Sequence, residues 1–140
     1  MQMILVATDG SNCGQRAEDE GVSLAVATGA RVVFLHVQPA VDPSRSRPGT
    51  LSEETDESHA TLDRALVKAI AAGIEAETEI VEGNAAHEIV DAARLRGADI
   101  IVVGSRGLGK LSGMFLGSVS RDVLNETDRP VLIVKEGKTS

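Results

Sequence analysis

Five short apolar runs punctuate the chain, and their character limits its fold more than any other feature. They are Met3 to Ala7, Arg31 to Val37, Ala76 to Val81, Ala98 to Val103 and Val131 to Val134. Most are rich in Val and Ile and nearly unbroken. Such runs suit strands covered on both faces, as in a parallel sheet; a strand with one wet face alternates polar and apolar residues instead. The third run does alternate. Glu75, Glu77 and Glu79 interleave with Ala76, Thr78 and Ile80, which places this strand near a sheet edge.

Helical patterns fill the intervals. From Ser11 to Gly29, apolar or small residues recur at Cys13, Ala17, Gly21, Leu24 and Thr28, and Gly29 is a natural stop. From Ser52 to Gly73, Leu62, Leu66, Ala69 and Ile70 line one face. Ser52 reads as the cap, with Glu53 and Glu54 suited to the positive end of the helix dipole. Asn84 to Gly97 presents Ala86, Ile89, Val90 and Ala93 between a capping Asn and a terminating Gly. A last short helix, Gly117 to Glu126, is expected to bury Val119, Val123 and Leu124 before Asp128-Arg129-Pro130 ends it.

Strand and helix thus alternate four times before a final strand. This order predicts an α/β fold, a doubly wound parallel sheet with helices on both faces and right-handed crossovers. Two connections are longer than such a fold requires. One is Gln38 to Leu51, rich in Pro, Ser and Arg, with no role legible in it; the other is Gly104 to Leu116. There is no internal repeat and no sign of a second domain. The expectation is one domain over residues 1–137, fraying after Lys135, with a disordered tail at 138–140.

Composition narrows the functional classes. Fourteen Lys and Arg against 21 Asp and Glu leave a net charge of −7, with no basic block. A broad electrostatic grip on nucleic acid is therefore not expected. Two Phe, with no Tyr or Trp, offer almost no stacking platform for bases. Cys13 is the only cysteine, which excludes an internal disulfide and a cysteine zinc cluster. The apolar runs are too short to span a bilayer. Met1 to Val6 lacks a basic segment and a cleavage site, unlike a secretory signal. A soluble, cytoplasmic protein without a membrane partner is expected.

In open α/β sheets, ligands bind outside the carboxyl ends of the strands, where strand order reverses. Thr8-Asp9-Gly10-Ser11 follows the first strand. After the fourth comes a segment with five of the chain's 14 glycines, Gly104, Gly107, Gly109, Gly113 and Gly117. Glycines let another molecule approach the backbone closely, and Gly117-Ser118 opens a helix whose free N–H groups favour an anion. A triphosphate lying across this segment would meet amides from both ends, with the Ser118 hydroxyl as a further donor. Asp9 has two readings from position alone. It is a turn former or helix cap, or a carboxylate for nucleoside hydroxyls, an adenine amine or a cation.

Other arrangements carry less chemistry. Gly104 to Lys110 reads G-x-x-x-x-G-K after a strand, but Leu111 stands where the phosphate-loop pattern needs Ser or Thr for magnesium. His36 lies inside an apolar strand and reads as a satisfied core or strand-end residue rather than a base; His59 and His87 read as helix-surface residues. Ser105, Ser112, Ser118 and Ser120 have no base partner in view. Cys13 sits near a helix start, which can lower a thiol pKa, but on the apolar face, where a thiol is buried and inert. Arg45 and Arg47 read as solvated loop charges that could also close over phosphates.

These residues together resemble the universal stress protein family over essentially the whole chain. The strongest element is its nucleotide motif, G-x2-G-x9-G-[ST], matched by Gly104, Gly107 and Gly117-Ser118. Ile4 to Ser11, Leu35-His36-Val37 and Pro130 to Val134 resemble the family's first strand and turn, second strand end and last strand. The resemblance implies a five-stranded parallel sheet in the order 3-2-1-4-5, a flavodoxin-like three-layer α/β/α fold of the adenine nucleotide α-hydrolase type. It implies ATP binding, with Mg or Mn held through the phosphates. Carried over by position, Ala7, Thr8, Asp9 and Val37 would surround adenosine. Val103, Gly104, Arg106 and Gly107, with Gly117, Ser118 and Val119, would line ribose and phosphates. It also implies a homodimer through Val131 to Val134. The implied role is a nucleotide-dependent regulator in stress physiology, its protein partner unknown. A slow ATPase or nucleotide-transfer enzyme, and a nucleotide-free interaction module, are the alternatives.

Overall fold

The computed structural model describes residues 1–40, 50–106 and 116–137. Nine elements alternate along the chain: β1 (Met3–Ala7), α1 (Asn12–Thr28), β2 (Arg31–Gln38), α2 (Thr50–Ala72), β3 (Ala76–Glu82), α3 (Ala85–Arg96), β4 (Ile100–Gly104), α4 (Ser118–Glu126) and β5 (Val131–Val134). The five strands form one parallel sheet in the order β3-β2-β1-β4-β5, as anticipated. The glutamate-bearing third strand is an edge, and β5 is the other. No described helix is long and apolar enough to cross a membrane.

The unbroken apolar runs follow from burial on both faces. Successive side chains of a strand point to opposite sides. Met3, Leu5, Val33, Leu35, Ile101 and Val103 therefore meet Ala86, Ile89 and Ala93 of α3 and Val123 of α4. Ile4, Val6, Val32, Phe34 and Val102 meet Ala17 and Ala25 of α1 and Leu62, Ala65 and Ala69 of α2 on the other side. On β3, Ala76 and Ile80 pack against this second core, while Glu77 and Glu79 pair with Arg96 from the end of α3 at 2.8 and 2.9 Å. The edge strand's charged face is thus bridged to a helix as well as wet.

Several local expectations are corrected. Helix α2 begins at Thr50, so Ser52 lies inside its first turn and is not its cap. Its inner stripe is Leu62, Ala65 and Ala69; Ile70 sits one residue further round and is 67% exposed. In α1 the buried position near the end is Ala25, three residues before Thr28, which faces solvent. In α4 only Val123 of the three apolar candidates is buried, while Val119 and Leu124 are exposed. The stretch after Lys135 is held rather than frayed: Arg16 Nη1 donates to the Lys135 carbonyl at 2.8 Å, and Arg106 pairs with Glu136. Residues 138–140, and with them the proposed disordered tail, lie outside the described residues.

The amino ends of the central strands are fastened by Asp99. Its Oδ2 accepts from the backbone N–H groups of Gln2 and Met3 at 2.7 and 3.0 Å, which holds its carboxyl below the usual aspartate range. Helix α1 lies unusually close to the sheet. A Cβ built on Gly21 would fall 2.4 Å from Val6 Cγ2, a distance no packed pair tolerates. Gly21→Ala gains about 1 kcal/mol of helix propensity but must push α1 away from β1. A net loss of about 1–3 kcal/mol is expected in urea denaturation. The double variant with Val6→Ala should lose less than the sum of the single losses, and strict additivity would show that this contact is not what limits the packing.

Candidate functional site

At its carboxyl end β1 turns through Thr8, Asp9 and Gly10 into α1. The Asp9 carboxylate accepts from the Ser11 N–H at 2.9 Å, and Ser11 Oγ accepts from the Gly14 N–H at 3.1 Å and so caps the helix. The turn-forming reading of Asp9 holds, and the residue also walls a cavity. Gly14 lies directly beneath. A Cβ there would come within 2.8 Å of Asp9 Oδ1 and 2.9 Å of Thr8 Oγ1. Position 14 therefore accepts only glycine if the turn is to keep its place.

Thr8 is tied into the protein from several directions. Its N–H donates to the Leu35 carbonyl at 3.0 Å, and its own carbonyl lies 2.9 Å from His36 Nδ1. A carbonyl can only accept, so Nδ1 carries the proton. His36 is the satisfied strand-end residue that its sequence position suggested. The Thr8 hydroxyl donates to Glu18 Oε2 at 2.5 Å and accepts from the Gly10 N–H at 3.2 Å.

Glu18 went unremarked in the sequence, yet it is 1% exposed. Its other oxygen meets Lys68 Nζ of α2 at 2.9 Å, and Lys68 also reaches Asp19 at 3.0 Å. Partial burial works against the Lys68 charge. Hydrogen bonds to Glu18 and Asp19, with their charges, outweigh it and raise the Lys68 pKa. A buried carboxylate thus links two helices to the floor of the site. No signal in α1 announced it, because Glu18 follows Ala17 in what reads as an ordinary surface Ala-Glu-Asp-Glu stretch.

The opposite wall is built by β4 and α4. A Cβ on Gly104 would collide with Cys13 Cβ at 2.8 Å, so α1 also rests on the end of β4. Cys13 is buried, with Sγ 3.7 Å from Ser105 Oγ. Ser105 N–H donates to the Val134 carbonyl at 2.8 Å, while Ser105 carbonyl accepts from Gly117 N–H at 2.7 Å. That last bond closes the ends of the glycine-rich segment on each other. It also uses the Gly117 amide, so the donors at this helix start are those of Ser118, Val119 and Ser120. The first intrahelical bond runs from Arg121 N–H to the Gly117 carbonyl. Helices α1 and α3 are capped by Ser11 and Asn84, whereas Gly117 has no side chain with which to cap α4. The Ser120 hydroxyl is turned inward, toward the carbonyls of Ser105 and Gly117.

These walls enclose a cavity of about 340 Å³. Ala7, Thr8, Asp9, Val37, Val103, Gly104, Arg106, Gly117, Ser118 and Val119 all line it, so the structure brings together the described residues singled out in the sequence. Gly107 lies outside the described residues, as do Arg45, Arg47 and Ser112. Gly14, Leu35, His36, Ala85, Ile89, Ser105 and Ser120 complete the lining. His36 and Ser105 stand at strand ends, where position alone could have flagged them. Ala85 and Ile89 arrive from the start of α3, and only its packing on the sheet places them there. His59 and His87 are exposed on their helices, outside the lining. Among the described residues, no three His, Cys, Asp or Glu side chains converge as a metal cage. The arrangement offers an apolar slot beside free backbone donors and one arginine, which suits a flat heterocycle carrying an anionic group.

The Glu18 linkage makes a test of the floor. Lys68→Met strips the buried carboxylate of its cation and should cost about 1–3 kcal/mol. Glu18→Gln with Lys68→Met removes both charges while keeping an acceptor for the Thr8 hydroxyl, and should recover most of that loss in the same denaturation experiment. If the double variant is as unstable as Lys68→Met, the cost lies in lost packing rather than in an unpaired charge.

Comparison with known proteins agrees with this fold. A family model described as the universal stress protein family matches residues 1–135. Universal stress protein YxiE of Bacillus subtilis is 39% identical, over 94% of this chain and 97% of its own. A solved structure of MJ0577, a protein of Methanocaldococcus jannaschii, superposes with a TM-score of 0.89 at 27% identity, covering 99% of this chain and 98% of that one. A universal stress protein in complex with cAMP superposes at 0.78 with 30% identity, covering 97% and 98%. One from Archaeoglobus fulgidus in complex with dAMP does so at 0.75 with 27% identity, covering 96% and 98%.

Proposed function

The chain belongs to the universal stress protein family, and from that premise we propose that it is an adenine-nucleotide-binding regulator whose ligand is ATP. The observation that carries this reading is a cavity in which an apolar slot adjoins the uncapped start of α4. Adenosine lies against Ala7, Thr8, Asp9 and Val37, where a carboxylate can accept from the adenine amine or a ribose hydroxyl. The phosphates lie toward Gly104, Arg106, Gly107, Gly117, Ser118 and Val119. There the α4 dipole and unpaired N–H groups favour negative charge, and the Arg106 guanidinium can pair with a phosphate oxygen. The cAMP and dAMP complexes of similar proteins support an adenine nucleotide. Toward the phosphates the lining offers amides, hydroxyls and one arginine, with the Asp9 carboxylate at the adenosine end, so a magnesium or manganese ion would be carried chiefly by the phosphates. Such an ion would neutralise charge between them. The proposed output is regulatory, a nucleotide-dependent switch in a stress response.

The outer edge of the sheet supports a second element of the proposal, a homodimer through β5. Val131 to Val134 carries no charge, and Leu132 is 36% exposed on an unpaired edge. Two-fold pairing would remove an edge otherwise open to aggregation.

Gly117→Asp separates binding from folding. An aspartate there supplies the cap that α4 lacks, so thermal stability should stay within a few degrees of wild type. The same carboxylate occupies the anion position and repels phosphate. ATP affinity, measured calorimetrically with magnesium present, should fall on the order of tenfold or more. Undiminished binding in this variant, or no saturable binding by the wild type at millimolar ATP, would overturn the reading. For the dimer, sedimentation should show two chains for the wild type and one for Leu132→Lys. A wild type that sediments as a monomer at micromolar concentration would remove that element.

A further inference from the structure

The parallel register of β4 and β5 continues beyond the strands themselves. The last paired residues are Gly104 and Val134, and two residues further on in each segment stand Arg106 and Glu136. The Ser105 N–H bond to the Val134 carbonyl keeps the two chains in step at that point. Arg106, a residue of the cavity lining, there forms an ion pair through Nη2 with Glu136 Oε2. The Glu136 segment is held from below, because Arg16 Nη1 of α1 donates to the Lys135 carbonyl at 2.8 Å. A Cβ on Gly137 would lie 3.0 Å from the same guanidinium nitrogen. Glu136 is therefore presented to Arg106 by three elements, α1, β4 and β5.

We propose that Glu136 determines how the site discriminates among nucleotides of different phosphate number, by holding Arg106 as an internal carboxylate competitor of the ligand's phosphates. This inference rests on the nucleotide reading above. A carboxylate and a phosphate oxygen present the same chemistry to a guanidinium, acceptor oxygens with negative charge. Arg106 cannot give its fork fully to both. A nucleoside without phosphate leaves the ion pair intact and is indifferent to Glu136. A nucleotide whose phosphates reach Arg106 must draw the guanidinium away and leaves the Glu136 charge beside its own. The penalty grows with the charge brought near Arg106, so it weighs most on the triphosphate. Glu136 is half exposed, so the ion pair is weak enough to exchange. With Glu136 neutral, the site loses its means of holding polyphosphates back.

The test compares adenosine, AMP and ATP, each titrated calorimetrically into wild type, Glu136→Gln, Arg106→Gln and the double variant at low salt. Glu136→Gln should bind ATP about threefold to fivefold more tightly, AMP less so, and adenosine within about twofold of wild type. The gain for ATP should shrink at high salt, where exposed charges are screened. It should vanish in the Arg106→Gln background, because the competition needs the guanidinium. Equal tightening for adenosine and ATP would overturn the inference, as would a gain that persists without Arg106. Both leave the nucleotide reading standing. A wild type that binds none of the three ligands overturns that reading, and this inference with it.

Discussion

The crossover from β3 to β4 is the constraint on which the site depends. The chain lays down β1, β2 and β3 in one direction, then returns past them to add β4 on the other side of β1. Right-handed connections then oblige α1 and α2 to cover one face and α3 and α4 the other. The crevice opens above the β1–β4 boundary. Among the described residues, Asp9 borders it from the end of β1, Gly104 and Arg106 from the end of β4, and Gly117 and Ser118 from the start of α4. A parallel sheet wound in one direction throughout would have no such crevice.

Close packing of α1 turns that gap into a shaped cavity. Gly14 and Gly21 bring the helix against β1, and Gly104 accepts Cys13 at the end of β4. Each glycine is demanded by space rather than by backbone conformation, for none of the three has positive φ. With the helix so near, Ser11 and Asp9 share one tight turn and Glu18 comes beneath Thr8. The buried Glu18 is stable because Thr8 and Lys68 satisfy both its oxygens. Stability and site geometry are joined here, because the residue that anchors α1 to α2 also holds the Thr8 hydroxyl. Arg106 shows the same economy on the other wall, where it pairs with Glu136 just beyond the last residues of β4 and β5.

Much of this was legible beforehand, for reasons that can be named residue by residue. Val and Ile runs identified the strands because burial on both faces leaves no room for polar residues. Ser11, Asn84, Gly29 and Gly97 marked helix ends because capping and left-handed termination are local chemistry. The glycine spacing from Gly104 to Gly117 stood out because few other roles require it. Errors arose where the answer lay in a neighbour. Ile70, Leu124 and Val119 are apolar and were assigned inward, but the faces turned toward the sheet belong to Ala65, Ala69 and Ser120. Glu18 was passed over because a charged residue among charged residues looks solvated until its helix is docked. Which amides of the α4 start are free is also decided by a neighbour, since the Gly117 N–H goes to the Ser105 carbonyl.

The sequence by itself determined the order of elements, the strand that must lie at an edge, and which segments would flank the crevice. Those follow from periodicity, capping and burial, which act over a few residues and leave their mark in composition. Tertiary structure decided which helix face turned inward, that Ala85 and Ile89 would line the cavity, that a buried carboxylate would support its floor, and that Glu136 would meet Arg106. Each depends on the distance between segments remote along the chain, set by close approach and strand register. No local pattern encodes such a distance until the sheet has assembled.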